Sequence, residues 1–283
     1  MDPLTSPPAH PKASLRWSGM THPGRVRPNN EDAFLTLTFD GHEVRYLGRL
    51  GECEISSHDF IFAVSDGMGG ERSGEFASQM SVDRITKIMP RSFRTRAMGL
   101  QTGFTDVLSE LFTRIHADLI NLGRSYEECA GMGATLSLCW MTPEWFYFGH
   151  IGDSRVYYLP AEGGITQLTH DDTHVGWLFR NGQINEREAR THPRRNALQQ
   201  ALGARNQFID PQFGSVGWKP GDRFVICSDG LTEGLWNRQI EEVLGTPDQT
   251  ALMPDAARNL IDASLENGGS DNLTAVVFQI QAA

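Results

Sequence analysis

Ile61-Phe62-Ala63-Val64 runs into Ser65-Asp66-Gly67-Met68-Gly69-Gly70, so an unbroken apolar stretch ends on an aspartate and a cluster of glycines. A short apolar run bounded by turn residues reads as a buried strand. Asp-Gly alone is a common turn signal, with glycine following wherever the backbone needs positive φ. The arrangement recurs, however: Phe224-Val225-Ile226-Cys227 leads into Ser228-Asp229-Gly230. Two related stretches put Asp153 after the apolar run from Trp145, in FGHIGDSR, and Asp271 just ahead of the run from Leu273, in GGSDNLTAVV. Four aspartates therefore stand at strand ends, where flanking glycine lets backbone or ligand approach closely.

Gathered at one rim of a sheet, such carboxylates raise one another's pKa unless a counter-charge neutralises them, and the natural counter-charge is a metal ion. The set offers carboxylates and backbone carbonyls, with no histidine in ligand spacing and no cysteine pair. An all-oxygen site suits Mg²⁺ or Mn²⁺ over Zn²⁺ or Cu²⁺.

The remaining composition fits an ordinary globular chain: 283 residues, 39% hydrophobic and 21% charged, enough for one large domain or two small ones. A net charge of −10 argues against nucleic acid, which calls for basic patches. No apolar run suggests a membrane span, and MDPLTSPPAHPK lacks the apolar core of a signal peptide, so a cytoplasmic protein is expected. Cys53, Cys129, Cys139 and Cys227 are scattered, as free thiols in a reducing compartment would be.

Along the chain, residues 1–14 read as a flexible Pro-rich tail, with the ordered body beginning near Leu15. Glu71 to Met89 reads as a helix ended by Pro90. Gly103 to Leu122 reads as a second helix, with Phe104, Leu108, Leu111, Ile115, Leu119 and Leu122 in one apolar stripe. Strands are expected at 134–140, 145–151, 155–159 and 165–168, each paired antiparallel with its neighbour because the linkers are too short for helical crossovers. The polar segment 169–202, with Trp177, Leu178 and Phe179 as its bulky cluster, is expected to form a small helical flap. A strand at 224–228, a helix at 254–267 and a strand at 274–280 follow, and residues 40–59 read as an inserted hairpin. Helices and antiparallel strands in blocks argue an α+β layered fold.

Eight motifs, GRVRPNNEDAF, VSDGMGG, GMGATL, GHIGDSRVY, LTHDDTHV, HPRRNALQQALG, GDRFVICSDGL and SDNLTAVV, follow one another from Gly24 to Val277. In these the chain resembles the metal-dependent Ser/Thr protein phosphatases of type 2C in their compact bacterial form. The resemblance implies a single domain over 15–283, a four-layer αββα sandwich of two antiparallel β-sheets flanked by helices, with a binuclear metal centre at one end. It implies that Asp66 bridges two Mn²⁺ or Mg²⁺ ions, that the Gly67 carbonyl contacts the first, and that Asp229 and Asp271 complete the second. Asp153 falls at the position of a third, weaker ion shared with Asp229, and Glu31 and Asp32 act through metal-bound water. Gly69 and Gly70 let the chain turn into the helix.

The nucleophile so implied is a metal-bridged hydroxide, and Arg27 is implied to bind the substrate phosphate from the substrate side, apart from the metal ligands. Met68 stands where many eukaryotic relatives carry a histidine that protonates the leaving alcohol. His150, His170, His174 and His192 are read as hydrogen-bonded in place, and Asp171 and Asp172 as a helix N-terminal cap region. The implied partners are phosphorylated proteins, including a Ser/Thr kinase or its substrates, met by a monomer. The alternative is a catalytically silent type-2C-like regulatory binding module.

Overall fold

The computed structural model describes residues 13–40, 43–55, 58–97, 103–204, 208–245 and 250–282. Most of the expected tail, residues 1–12, lies outside the described residues, and the first strand takes in Ala13 and Ser14.

Strand alternation explains the layers. In β5 (Asp59–Met68), Phe60, Phe62 and Val64 point into one core, and Ile61 and Ala63 into another. In β14 (Leu273–Ala282), Val276, Phe278 and Ile280 join the first of these, while Ala275 and Val277 enter a third. A strand buried on both faces reads as continuously apolar, which is why these runs show no polar alternation.

The core shared by β5 and β14 lies between two sheets. The first runs in the order β10 (Thr166–Gln167), β9 (Arg155–Leu159), β13 (Arg223–Cys227), β14, β1 (Ala13–His22) and β4 (Leu50–Ile55). The second runs β11 (Leu202–Gly203), β6 (Gly133–Ala134), β5, β7 (Leu136–Met141), β8 (Phe146–Ile151) and β12 (Gln212–Val216), with β2 (Asp32–Phe39) on β5 and β3 (Val44–Tyr46) on β2. Every pairing is antiparallel. Phe62 stacks on Phe278 at 4.4 Å and Phe146 on Phe224 at 4.0 Å, joining the two sheets ring to ring.

Helices α1 (Glu71–Ala97) and α2 (Phe104–Ser125) cover the second sheet, with Leu108, Leu111, Ile115 and Leu119 of the expected stripe buried there. On the first sheet, α5 (Asp229–Gly234), α6 (Asn237–Leu244) and α7 (Ala256–Asn267) close the third core. The flap segment carries two short helices, α3 (His174–Arg180) and α4 (Glu186–Thr191).

Three expectations are corrected. Residues 40–59 do not form a hairpin: β3 pairs with β2 and β4 pairs with β1, so the segment passes from one sheet to the edge of the other. β8 and β9 likewise do not pair, because the chain changes sheets at residues 152–154, and β9 finds β13 instead. A short linker can join two packed layers as well as two neighbours in one sheet. Helix α1 also continues past Pro90. Proline removes one ladder hydrogen bond and disfavours its surroundings, but it does not forbid a helix.

Candidate metal centre

The aspartates reach one end of the sandwich by separate routes. Register sets Asp32, the first residue of β2, opposite Asp66 near the end of β5. Asp229 opens α5 directly after β13, Asp271 stands just before β14, and Asp153 lies in the crossover between β8 and β9. Asp66, Asp153, Asp229 and Asp271 line one cavity of about 410 Å³, together with Arg27, Glu31 and Gly67. Asp32 is buried outside its wall.

Neighbouring backbone explains the glycines. A Cβ on Gly67 would stand 1.9 Å from the Gly74 carbonyl oxygen in α1, so only glycine lets strand and helix meet here. Gly69 and Gly70 take φ of +130° and +92° as the chain turns into α1.

Hydroxyls and an amide that were not singled out from the sequence hold the carboxylates. Asp32 Oδ2 accepts from Ser228 Oγ and Thr274 Oγ1, each at 2.7 Å, which ties β2 of one sheet to β14 and to the residue that follows β13 in the other. Asp66 N–H donates to Thr135 Oγ1 at 3.0 Å, and that oxygen shares a hydrogen bond with Ser154 Oγ at 2.7 Å. Asn272 Oδ1 accepts from Glu31 N–H at 2.8 Å, and Glu31 O accepts from Gly67 N–H at 3.1 Å. The available signal was the polar residue beside each aspartate, Ser154, Ser228 and Asn272, in otherwise apolar surroundings.

Burial is the main cause of raised carboxyl pKa values here, and nearby carboxylates add to it. Asp66 and Asp229 are pushed well above the usual range, Asp66 further by Asp32 and Asp229, and Asp229 further by Asp153 and Asp271. Asp153 is pushed up to about 7 by burial and then by Asp171. Asp32 reaches about 6, burial outweighing the bonds from Thr274 and Ser228 that hold it down. The repulsion that raises these carboxyls is one that a bound cation would relieve as a proton does.

The donor set fits a hard divalent ion. Asp32 Oδ1 and Asp229 Oδ1 are buried with no hydrogen-bond partner among the described residues. Among those residues no three His, Cys, Asp or Glu side chains converge closely enough to enclose an ion unaided. An ion such as Mg²⁺, which keeps several waters and takes one or two carboxylates, suits that spacing.

Arg27, expected on the substrate side, reaches one of the cavity carboxylates. Its Nη2 donates to Asp271 Oδ2 at 2.9 Å, and that carboxylate raises the guanidinium pKa. Proximity across the fold, 244 residues apart in sequence, makes this pair invisible to local patterns.

Asp171 and Asp172 do not cap α3. Thr173 does, its Oγ1 accepting from Gly176 N–H at 2.8 Å. Asp171 instead takes a forked pair from Arg155, Nε at 2.9 Å and Nη2 at 2.7 Å, and Asp172 accepts from Gly152 N–H at 2.9 Å. They tie the root of the flap to β9 and to the crossover that carries Asp153. A second cavity of about 710 Å³ lies beneath the flap and shares Asp153 and Asp229 with the first. None of the four weighed histidines lines the carboxylate cavity. His150 is buried between Ser137 Oγ, 2.8 Å from Nδ1, and the Gly152 carbonyl, 3.1 Å from Nε2, and burial pulls its pKa down to about 4.

Comparison with known proteins agrees with this architecture. The family profile described as Protein phosphatase 2C matches residues 49–267. The serine/threonine protein phosphatase PstP of Mycobacterium tuberculosis is 31% identical over 94% of this chain, which spans only 45% of that relative's length. The protein phosphatase PhpP of Streptococcus pneumoniae is 30% identical over 94% of this chain and 98% of its own. A solved PstP catalytic domain in complex with two manganese ions is 29% identical, covers 95% of this chain and 99% of its own, and has a TM-score of 0.71. On the profile match and on relatives aligned along nearly the whole chain, this protein belongs to the protein phosphatase 2C family.

Proposed function

We propose that this protein is a metal-dependent phosphatase that removes phosphate from phosphoserine and phosphothreonine in proteins. The observation that carries the reading is the convergence of Asp66, Asp153, Asp229 and Asp271 on one cavity, with Asp229 Oδ1 and the neighbouring Asp32 Oδ1 buried and unpartnered among the described residues. The manganese pair in the PstP catalytic domain supports reading the cavity as a site for Mn²⁺ or Mg²⁺. Asp66, the Gly67 carbonyl, Asp229 and Asp271 would hold two tight ions, and Asp153 with Asp229 a third, weaker one. Glu31 and Asp32 would act through intervening water.

Such ions, when bound, supply charge neutralisation for the phosphoryl group and activate water for in-line attack. The chain's own residues bind and orient. Arg27 offers its guanidinium fork to two phosphoryl oxygens. Asp32, held by the hydroxyls of Ser228 and Thr274, keeps Oδ1 free to accept from water. Met68 in the cavity wall has no proton to give, so the departing alcohol must take its proton from water or from another group.

Phosphate release from a phosphothreonine peptide should vanish after chelation and return with Mn²⁺ or Mg²⁺; full turnover in excess chelator would falsify the reading. Arg27→Ala should raise KM about ten- to a hundredfold, the equivalent of a charge-assisted forked contact, with a smaller effect on kcat. Wild-type KM in that variant would remove Arg27 from the phosphate site.

Among the described residues no helix is long and apolar enough to cross a membrane. The partners we infer are phosphoproteins, among them a Ser/Thr kinase or its substrates, met in the cytoplasm by a monomer. The retained carboxylates disfavour a silent binding module.

A further inference from the structure

Arg27 meets Asp271 because the whole loop that carries it is fastened to the Asp271 segment. Asn272 Nδ2 donates to the carbonyls of Pro23 at 2.9 Å and Asn29 at 2.8 Å, and its Oδ1 accepts from Glu31 N–H, so one side chain staples both ends of residues 23–31. Between those ends, Arg25 N–H donates to the Gly269 carbonyl at 2.7 Å. Gly24, at φ +81°, lies so close that a Cβ would stand 2.1 Å from the Asp271 carbonyl oxygen. The ion pair is therefore imposed by the loop's seating, and a chance meeting of two surface side chains would need none of these contacts.

Its geometry leaves it easily exchanged. Arg27 uses one nitrogen on one oxygen, and its side chain is 51% exposed against 21% for Asp271. The other oxygen of Asp271 already accepts from the Asn272 N–H at 2.9 Å. The bond on Oδ1 comes from the backbone of the next residue and is fixed, so Oδ2 is the oxygen whose partner an incoming cation can displace, and that partner is Arg27. Two cations on one carboxylate oxygen repel each other at contact distance.

We propose that Arg27 competes with a divalent cation for Asp271 Oδ2, so that cation capture hands the guanidinium over to the substrate phosphate. Resting on the reading of this cavity as a divalent-cation site, the proposal adds a coupling between the two ligands. Binding free energies are reciprocal, so a cation that displaces Arg27 pre-positions it for an anion, and an anion that draws Arg27 away strengthens the cation site by the same factor.

Calorimetric titration of Mn²⁺ into the metal-stripped protein tests this, with Asp271→Asn marking which binding step includes Asp271. Arg27→Met and Arg27→Gln remove the charge at a half-exposed position and should tighten that step about two- to fivefold, the scale of an exposed ion pair. Arg27→Lys should stay near wild type. The gap should narrow at high salt, which screens the guanidinium without altering packing. If the wild type binds Mn²⁺ and both uncharged variants bind it equally well or less well, Arg27 supports the site and the competition is wrong, while the metal site itself stands. If the wild type binds no Mn²⁺, the competition and the metal site fail together.

Discussion

Asp229 is half-buried, faces Asp153 and Asp271 across the cavity, and has its Oδ1 buried without a partner among the described residues. Such a residue costs the fold stability, because its charge has no protein partner among the described residues that repays desolvation. Asp229→Asn should therefore melt higher than wild type in metal-free buffer, by roughly 2–4 °C for each kcal/mol of relieved repulsion. With Mn²⁺ the order should reverse, since the ion stabilises whichever protein binds it. Turnover should fall by orders of magnitude in this variant. Asp153→Asn should spare the tight ions and still impair turnover. Melting curves with and without Mn²⁺, beside calorimetry, separate the two; an Asp229→Asn protein that melts below wild type without metal and binds Mn²⁺ normally would return Asp229 to a structural role.

At the scale of elements, the flap is docked by polar side chains more than by an apolar seam, with Arg195 and Asn196 both donating to Glu233 of α5. Arg190 of α4 donates Nη1 to the Thr232 carbonyl at 2.7 Å and Nη2 to the Leu235 carbonyl at 2.6 Å, and its guanidinium lies 4.0 Å over the Trp236 ring. Those carbonyls belong to α5 and its end, the helix that Asp229 begins. Trp177 and Phe179 of α3 remain 44% and 47% exposed, and of α3 only Val175 is buried. Removing Arg190 takes away charge-assisted bonds worth about 1.5–3 kcal/mol, which should appear as local opening. Arg190→Ala should speed amide exchange across α3 and α4 about ten- to a hundredfold while β5 and β14 exchange as before. Equal protection of the flap in both proteins, by hydrogen-exchange mass spectrometry, would show that it is held elsewhere.

For the whole molecule, pH acts through groups that the sandwich seals. His150 is accepted in its neutral form only, with a folded pKa of about 4 against an ordinary value near 6.5. Its contribution is complete above the unfolded value and is lost as pH falls through the folded one, about 3 kcal/mol across that window. Asp153 and Asp32 act in the opposite sense: raised to about 7 and about 6, they favour the fold at low pH and lose that contribution as pH rises through those values. Because the carboxyls are common to both proteins, comparing wild type with His150→Gln isolates the histidine. Urea unfolding between pH 4.5 and 7.5 should show the stability gap narrowing or reversing as pH falls. A gap independent of pH would mean that His150 binds its proton equally well in the folded and the unfolded protein.

Residues 61–70, 224–230 and 273–280 announced buried strands and the aspartates at their ends through local signals alone: apolar runs long enough to be covered on both faces, then glycine where backbones must touch. The α2 stripe was legible for the same reason, since helical periodicity is a property of neighbours in sequence. Tertiary structure alone decided which strands pair. The linker at 152–154 and the segment at 40–59 are each short enough for a hairpin or for a step between sheets, and only packing of the apolar faces chooses between them. Tertiary structure also decided what each carboxylate touches. Asp32 with Thr274, Arg27 with Asp271, and Asn272 with the loop at 23–31 are joined across more than two hundred residues, and no local preference encodes a hydrogen bond whose partners meet only after both sheets have closed.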